Sequence, residues 1–283
     1  MKVRRAMAKC IQPRGFSIAA LVATRPRWES LIGVALPSIV SQTRCPNVLF
    51  VVSDERAFSP QEVEHLKTAA GEIDLRVIGN RRSPGAAGAW NTGIDEVSAL
   101  VKDGYVAILD DDDAWDSDHL QCCESAALKA GVPDIVLSGL RVVRQGVELQ
   151  RSPLTMVERD DFLAGNPGWQ GSNTFVRIST LRKVGGFTDG LASTNDRDLA
   201  VRLLSIPDIE IAYTGKMTAT WHLEACPDAL SRRGSPQKRL GLQAFFRTHS
   251  HLMTPAIRLR CVERAERLFD VDLECTGASD ESS

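Results

Sequence analysis

Tyr105-Val-Ala-Ile-Leu109-Asp110-Asp-Asp-Asp113-Ala-Trp115 is the stretch on which the reading of this 283-residue chain turns. Tyr105–Leu109 is a short apolar run that suits a buried strand, and four carboxylates follow it directly. Adjacent carboxylates repel one another unless a cation or hydrogen-bond donors offset the repulsion. An acidic run usually reads as a solvated loop. This one sits at the carboxyl end of a strand, where ligands bind in open α/β sheets. Oxygen-rich sites there suit Mg²⁺ or Mn²⁺, which take one or two carboxylates and complete their shell with phosphate oxygens.

The flanking segments predict the sheet. Phe16–Ala23 reads as a strand stopped by Thr24-Arg25-Pro26, and apolar positions from Trp28 to Ser41 recur at helical spacing, with Pro37 bending that helix. Val48–Val52 and Leu75–Ile78 are further strands. Between them Ser59-Pro60-Gln61-Glu62 has the form of a helix start. Ala89–Val101 is a helix leading into the decisive strand. Strand and helix alternate, so the fold class is α/β, with a mainly parallel sheet and helices on both faces.

Beyond Ala114 the pattern loosens toward a mixed sheet. A helix is expected at His119–Lys129, strands at Ile135–Ser138, Leu140–Val143, Thr174–Arg177 and Met217–His222, and a helix at Asp196–Leu204 capped by Ser193 or Thr194. The implied organisation is a basic arm at 1–15, the main domain at 16–230, a helical extension at 231–275 and a disordered tail at 276–283.

Composition sets the outer bounds. Hydrophobic residues make up 43% and charged residues 25%, as in ordinary globular domains, and the net charge of −2 implies no bulk affinity for nucleic acid or anionic membrane. The seven cysteines show no C-x-x-C pair, and they fit reduced thiols better than a disulfide framework. No apolar run approaches the roughly 18 residues of a membrane span, and the first residues do not read as a secretory signal, so a cytoplasmic location is expected. An EF-hand starting at Asp110 fails at Ala114, Trp115 and Gln121. Zinc-protease, P-loop, dinucleotide-binding and elbow-serine signatures are also missing from the chain.

Leu109-Asp-Asp-Asp-Asp-Ala-Trp115 resembles the D-x-D region of family 2 glycosyltransferases. Further segments match in order: Thr24-Arg25-Pro26, Ser38–Gln42, Ser53-Asp54, Gly85–Gly93, Gly171–Arg177, Val184–Phe187 and Asn195–Arg202. The resemblance covers residues 16 to 222. It implies a GT-A fold, a Rossmann-like sheet that binds a nucleotide-diphosphate sugar, most often a UDP-sugar, with Mn²⁺ or Mg²⁺. It casts Asp54 as the acid that recognises the base, with Thr24 and Arg25 beside it in the donor loop. Asp110 becomes the first acid of the D-x-D and Asp112 the second, which binds the metal. Asp111 takes the variable middle position, and Asp113 braces the loop. Asp196 matches the general base of inverting members, with Asp198 as fallback, although Asn195 stands where an acid is common. His222 is a further candidate metal ligand.

Donor-binding roles are also expected for Arg82, for Asn91 and for Arg232 and Arg233, whose guanidinium groups suit phosphate. Trp90 and Trp169 are candidates either for lining the substrates or for the core. The acceptor is not identified. The other readings are a sugar-phosphate nucleotidyltransferase, although Ala20–Trp28 lacks a Gly-rich pyrophosphate loop, and a non-catalytic module of the same fold.

Overall fold

A computed structural model of the chain describes residues 15–223 and 233–274. In chain order the elements are β1 (Ser17–Thr24), α1 (Trp28–Ser30), α2 (Leu36–Val40), β2 (Val48–Ser53), α3 (Pro60–Ala70), β3 (Leu75–Gly79), α4 (Ala86–Leu100) and β4 (Gly104–Asp110). Then follow β5 (Ala114–Trp115), α5 (His119–Lys129), β6 (Ile135–Arg144), β7 (Val147–Leu149), α6 (Arg159–Ala164), β8 (Thr174–Arg177), α7 (Ile178–Lys183) and α8 (Asn195–Leu203). The last are β9 (Ile211–Leu223), α9 (Pro236–His249) and α10 (Pro255–Phe269).

One mixed sheet runs β3-β2-β1-β4-β8-β6-β9-β5, with β7 paired to β6. The first four strands are parallel, and β8 is antiparallel to both β4 and β6. Strand order therefore reverses between β1 and β4, the place where a crevice opens in sheets of this kind. Two apolar clusters explain the unbroken hydrophobic strands. Ala19 and Leu21 of β1 face Trp90, Ile94 and Val97 of α4, whereas Ile18, Ala20 and Val22 face Leu31, Leu36 and Ile39 on the other side.

Local rules account for several element boundaries. Ser59 and Glu62 form a reciprocal capping box at the start of α3, with Pro60 in the first turn. Arg56, then the Ser59 amide, holds the Glu62 carboxyl down to about 2. Pro37 has no N–H to offer the carbonyl one turn back, and the helix answers with a π-helical turn, Leu31–Ala35, just ahead of it. The two strands expected at 135–143 are one strand, β6, interrupted only by a shift of register around Gly139. β9 is twice the expected length because it continues along the whole of β6.

The C-terminal helices pack onto the main domain. Phe245 of α9 and Ile257 of α10 join the cluster that contains Ala19 and Val106, while Leu242, Phe246, Cys261 and Ala265 form a small core of their own. Among the described residues no helix is long and apolar enough to cross a membrane. Cys122, Cys123 and Cys261 are free thiols, as expected. Cys45 is not, because it is disulfide-bonded.

A buried ion pair ties the start of β1 to α5. Arg44 Nε donates to Glu124 at 2.9 Å, and Arg44 Nη2 donates to Asn47 Oδ1 at 3.0 Å, which also accepts the Ile18 amide. Both charges are nearly inaccessible, so removing one strands the other. Arg44→Met is expected to lower the unfolding free energy by about 3–5 kcal/mol in urea denaturation. A loss below about 1 kcal/mol would contradict that coupling.

Candidate active site

The parallel strands deliver three chain segments to one edge: Thr24–Arg27 after β1, Asp54 after β2, and Asp110–Asp113 after β4. The Asp54 amide donates to the Thr24 carbonyl at 2.8 Å and joins the first two. Past the aspartates, β5 pairs with β9 so that Ala114 faces Thr220, which brings His222 back to the acidic turn.

The four carboxylates have different surroundings. Asp111 is buried. It accepts from Thr24 Oγ1 at 2.5 Å and from Arg27 Nε at 3.1 Å, and Arg27 Nη2 holds its other oxygen. The same guanidinium reaches Asp112 Oδ2 at 3.0 Å. Asp113, also buried, accepts from Ser172 Oγ at 2.5 Å and from the His222 amide at 2.9 Å. The Asp110 carboxylate accepts no hydrogen bond from the described residues. Gly171 lies flat against it, and a Cβ there would stand 2.8 Å from Asp110 Oδ1.

Burial, followed by the charges of Asp113, Asp112 and Asp111, holds Asp110 well above the usual carboxylate range, against the pull of Arg27. Burial raises Asp111 too, although Arg27 and Thr24 oppose it. Asp113 is pushed up to about 8 by burial and then by Asp112. Among the described residues, Arg27 is the guanidinium bonded to the carboxylates of this turn.

That imbalance is where a divalent cation fits. Among the described residues no three acidic, His or Cys side chains form a ready-made cage. The second oxygen of Asp112 could take a Mg²⁺ or Mn²⁺ whose shell phosphate oxygens complete, with Asp110, which accepts no hydrogen bond among the described residues, facing the ribose or the metal's water. His222 Nδ1 lies 2.9 Å from the Asp112 carbonyl. A carbonyl only accepts, so Nδ1 carries the proton and Nε2 keeps its lone pair, the tautomer a metal ligand needs.

Asp196 opens α8. Asn166 Nδ2 donates to its Oδ2 at 2.9 Å, and the Arg197 amide donates to its Oδ1 at 2.9 Å. Burial raises its pKa, and Lys238 is the main opposing influence. Burial in turn lowers Lys238 to about 8, with its ammonium 4.6 Å from the centre of the Phe269 ring. The loop 166–173 links Asp196 to the acidic turn: Asn166 holds Asp196 at one end, and Gly171 and Ser172 contact Asp110 and Asp113 at the other.

The start of α8 differs from the expected cap. Neither Ser193 nor Thr194 caps it: Thr194 is left-handed at φ 65° and bonds the Gly241 carbonyl at 3.2 Å, while Ser193 Oγ bonds the Gln237 carbonyl at 3.1 Å. A Cβ at Gly241 would stand 2.6 Å from the Ser193 carbonyl, so α9 presses directly on this turn. A left-handed Thr is strained, and α9 holds it in place. Asn195, at the position of the family's usual acid, is buried with Oδ1 unpartnered among the described residues.

The other candidate residues are placed as follows. Asp198, the fallback base, is buried and held by Thr188 at 2.6 Å, Arg202 at 2.9 Å and His249 at 2.8 Å; His249 leads the influences that lower its pKa. It anchors α8 to α9. The Asn91 amide is closed on the Phe187 backbone, donating at 2.9 Å and accepting at 2.8 Å, and does not reach the acidic turn. Arg82 forks onto Asp95 on the exposed side of α4. Arg233 lines a cavity against α10 and Asn166, away from the aspartates, and Arg232 lies outside the described residues. Trp90 and Trp169 belong to the core. Asp54 accepts from Asn80 at 2.7 Å and from the Gly85 amide at 2.8 Å, and Arg25 reaches Glu55 at 3.7 Å.

Three residues of the site were not singled out from the sequence: Arg27, Ser172 and Asn166. Arg27 follows the Thr24-Arg25-Pro26 stop, and Ser172 lies inside a quoted motif. Asn166 carries no sequence signal beyond the Gly/Pro-rich loop around it.

Comparison with known proteins fixes the class. Residues 20–193 match the glycosyl transferase family 2 profile, and the chain belongs to that family. The succinoglycan biosynthesis protein ExoW of Rhizobium meliloti (strain 1021) is 33% identical over 106 residues, 36% of this chain and 32% of that protein. The chain thus matches about a third of that relative's length. S. aureus TarS 1-349, solved in complex with UDP-GlcNAc, superposes with a TM-score of 0.64 at 16% identity, covering 90% of this chain and 73% of that one. The structure titled S. aureus TarS gives 0.60 at 14% identity, covering 88% and 43%. The fold is that of a GT-A glycosyltransferase.

Arg27 is the one protein cation bonded to both Asp111 and Asp112 among the described residues. Arg27→Met is expected to cost about 2–3 kcal/mol of stability in metal-free buffer, less than a fully buried pair because the Arg27 side chain is 26% exposed. Urea denaturation measures it, and a change under about 0.5 kcal/mol would contradict the counter-ion role.

Proposed function

We propose that the chain is a metal-dependent, inverting glycosyltransferase that moves a sugar from a nucleoside-diphosphate donor to an acceptor hydroxyl in one displacement. The observation that carries this reading is the position of Asp196 in a family 2 chain: one loop, 166–173, joins it to an under-compensated acidic turn at the sheet switch point. In this reading Asp54, Thr24 and Arg25 bind the nucleoside end of the donor. Asp110 faces the ribose or the metal shell, and Asp112, with His222, holds Mn²⁺ or Mg²⁺. Asp111 and Asp113 position the turn through Arg27, Thr24 and Ser172. A UDP-sugar is the proposed donor, supported by the fold shared with TarS, whose structures contain UDP-GlcNAc and UDP.

The chemistry follows from the carboxylate at 196. Its oxygens keep lone pairs beyond those bonded to Asn166 and Arg197, and burial raises its basicity toward the range useful to a general base. Asp196 removes the acceptor's hydroxyl proton as that oxygen attacks the anomeric carbon. The bond from that carbon to the diphosphate oxygen breaks, and the nucleoside diphosphate departs with its electron pair. Attack from the opposite face inverts the anomeric centre. The divalent cation, when bound, neutralises charge on the leaving diphosphate.

Asp196→Asn is expected to lower turnover by about 10²–10⁴ with donor affinity within twofold; near-normal transfer would refute the assignment. Because the Asp196 pKa is raised, kcat/KM should fall with decreasing pH before an ordinary carboxylate near 4 protonates, and the Asn variant should lose that limb. Asp112→Ala should abolish the Mn²⁺-dependent part of nucleotide affinity in calorimetry. Unchanged Mn²⁺-dependent binding would exclude Asp112 as a ligand.

A further inference from the structure

The main unassigned feature is an open cavity of about 790 Å³ between α6 and α10. Asn166, which holds Asp196, forms part of its wall, and Arg233, Arg260, Arg264 and Arg267 line it. Among the described residues, none of the four arginine side chains makes a hydrogen bond or ion pair. Four carboxylates border the same space, Asp161, Glu263, Glu266 and Asp270, yet none pairs with these guanidinium groups. Asp161 is occupied at the start of α6, accepting the Glu158 amide at 2.9 Å.

Arg260, Arg264 and Arg267 follow one another at spacings of four and three, which stacks like charges on one face of α10. Arg264 is half-buried, and its Nε lies 3.2 Å from where a Cβ on Gly165 would stand. A side chain at position 165 would displace it. Burial lowers the Arg264 pKa first, and the charges that act on it next are cations: Arg197, Arg267 and Arg151. Lys238, beside Asp196, is itself disfavoured by Arg197 and Arg264. A half-buried guanidinium with five N–H donors and no side-chain partner among the described residues has the chemistry of an anion site, in a lining that carries as many carboxylates as guanidiniums.

We propose that this cavity is the acceptor subsite and that it binds an oxyanion, a phosphate or a carboxylate, carried by the acceptor close to the hydroxyl that Asp196 deprotonates. The proposal rests on the reading of Asp196 as base. Arg264 provides the bidentate contact, and Arg233, Arg260 and Arg267 provide the surrounding charge. The acceptor is therefore an acidic glycan, a phosphate-bearing polymer or a uronic acid rather than a neutral sugar.

The test titrates inorganic phosphate, and separately glucuronate, into the full chain by calorimetry in metal-free buffer, with UDP plus Mn²⁺ titrated in parallel. The wild-type chain should bind phosphate, glucuronate or both. The anion that binds identifies the acidic group. Arg264→Gln should weaken that binding about tenfold while UDP affinity stays within twofold. The exposed variants Arg260→Gln and Arg267→Gln keep the test open should Arg264→Gln fail to fold, and they should weaken the same anion about two- to fivefold. Absence of binding for both anions, or equal binding by all variants, overturns the proposal. A parallel loss of UDP affinity in the arginine variants also overturns it, by assigning the cavity to the donor. Anion binding that depends on these arginines, in a chain that binds no nucleotide, would leave the cavity assignment standing and defeat the donor reading instead.

Discussion

Four carboxylates at the end of one buried strand are the constraint around which the rest of this site is built. A protein interior does not tolerate that charge without compensation, and each partner the fold supplies comes from a different element. Arg27 arrives from the turn after β1, Thr24 from the end of β1, Ser172 from the loop before β8 and the His222 amide from β9. Compensation is incomplete. Burial and mutual repulsion raise Asp110, Asp111 and Asp113, and among the described residues the Asp110 carboxylate receives no donor. Among the described residues the fold thus leaves an electrostatic deficit at the switch point of the sheet, which the proposed cation and diphosphate would discharge.

The second half of the site depends on the C-terminal helices. α9 presses Gly241 against Ser193, holds Thr194 in a left-handed conformation, anchors Asp198 through His249 and places Lys238 near Asp196. Arg197 is stacked on Phe245 at 4.2 Å and donates to the Phe162 and Leu163 carbonyls of α6. The residue proposed as the base therefore stands on a turn whose geometry is set by α9, with its carboxylate held by Asn166 from the loop after α6. Changes in α9 that leave the strand ends untouched would act on chemistry before they act on donor binding.

Much of this was legible in the sequence because the signals were local. The apolar runs gave β1, β2 and β4, the Ser59-Pro60 start gave α3, and Pro37 marked the place where the helix adjusts. The ordered family motifs brought Asp54, Asp110–Asp113, Asp196 and His222 into one reading. What stayed hidden was pairing across the chain. That Arg27 bridges Asp111 and Asp112, or that Asn91 closes on Phe187, depends on contacts 84 to 96 residues apart. Asp196 and Asp198 look alike in Asn195-Asp-Arg-Asp198. Only the packing of His249, Arg202 and Thr188 around Asp198 separates an anchor from a candidate base. The basic segment around Arg233 was legible, but its packing against α10 was not.

In the proposed function the under-compensated acidic turn and Asp196 together transfer a sugar from a nucleoside diphosphate. Incubating the chain with a panel of nucleotide-sugars, with and without Mn²⁺ or Mg²⁺, and following release of the nucleoside diphosphate tests it most directly. Release is expected from one selective donor, a UDP-sugar, only when a divalent cation is present. Release that is indifferent to the cation, or no turnover of any donor alongside pyrophosphate formation from a nucleoside triphosphate and a sugar phosphate, would contradict it.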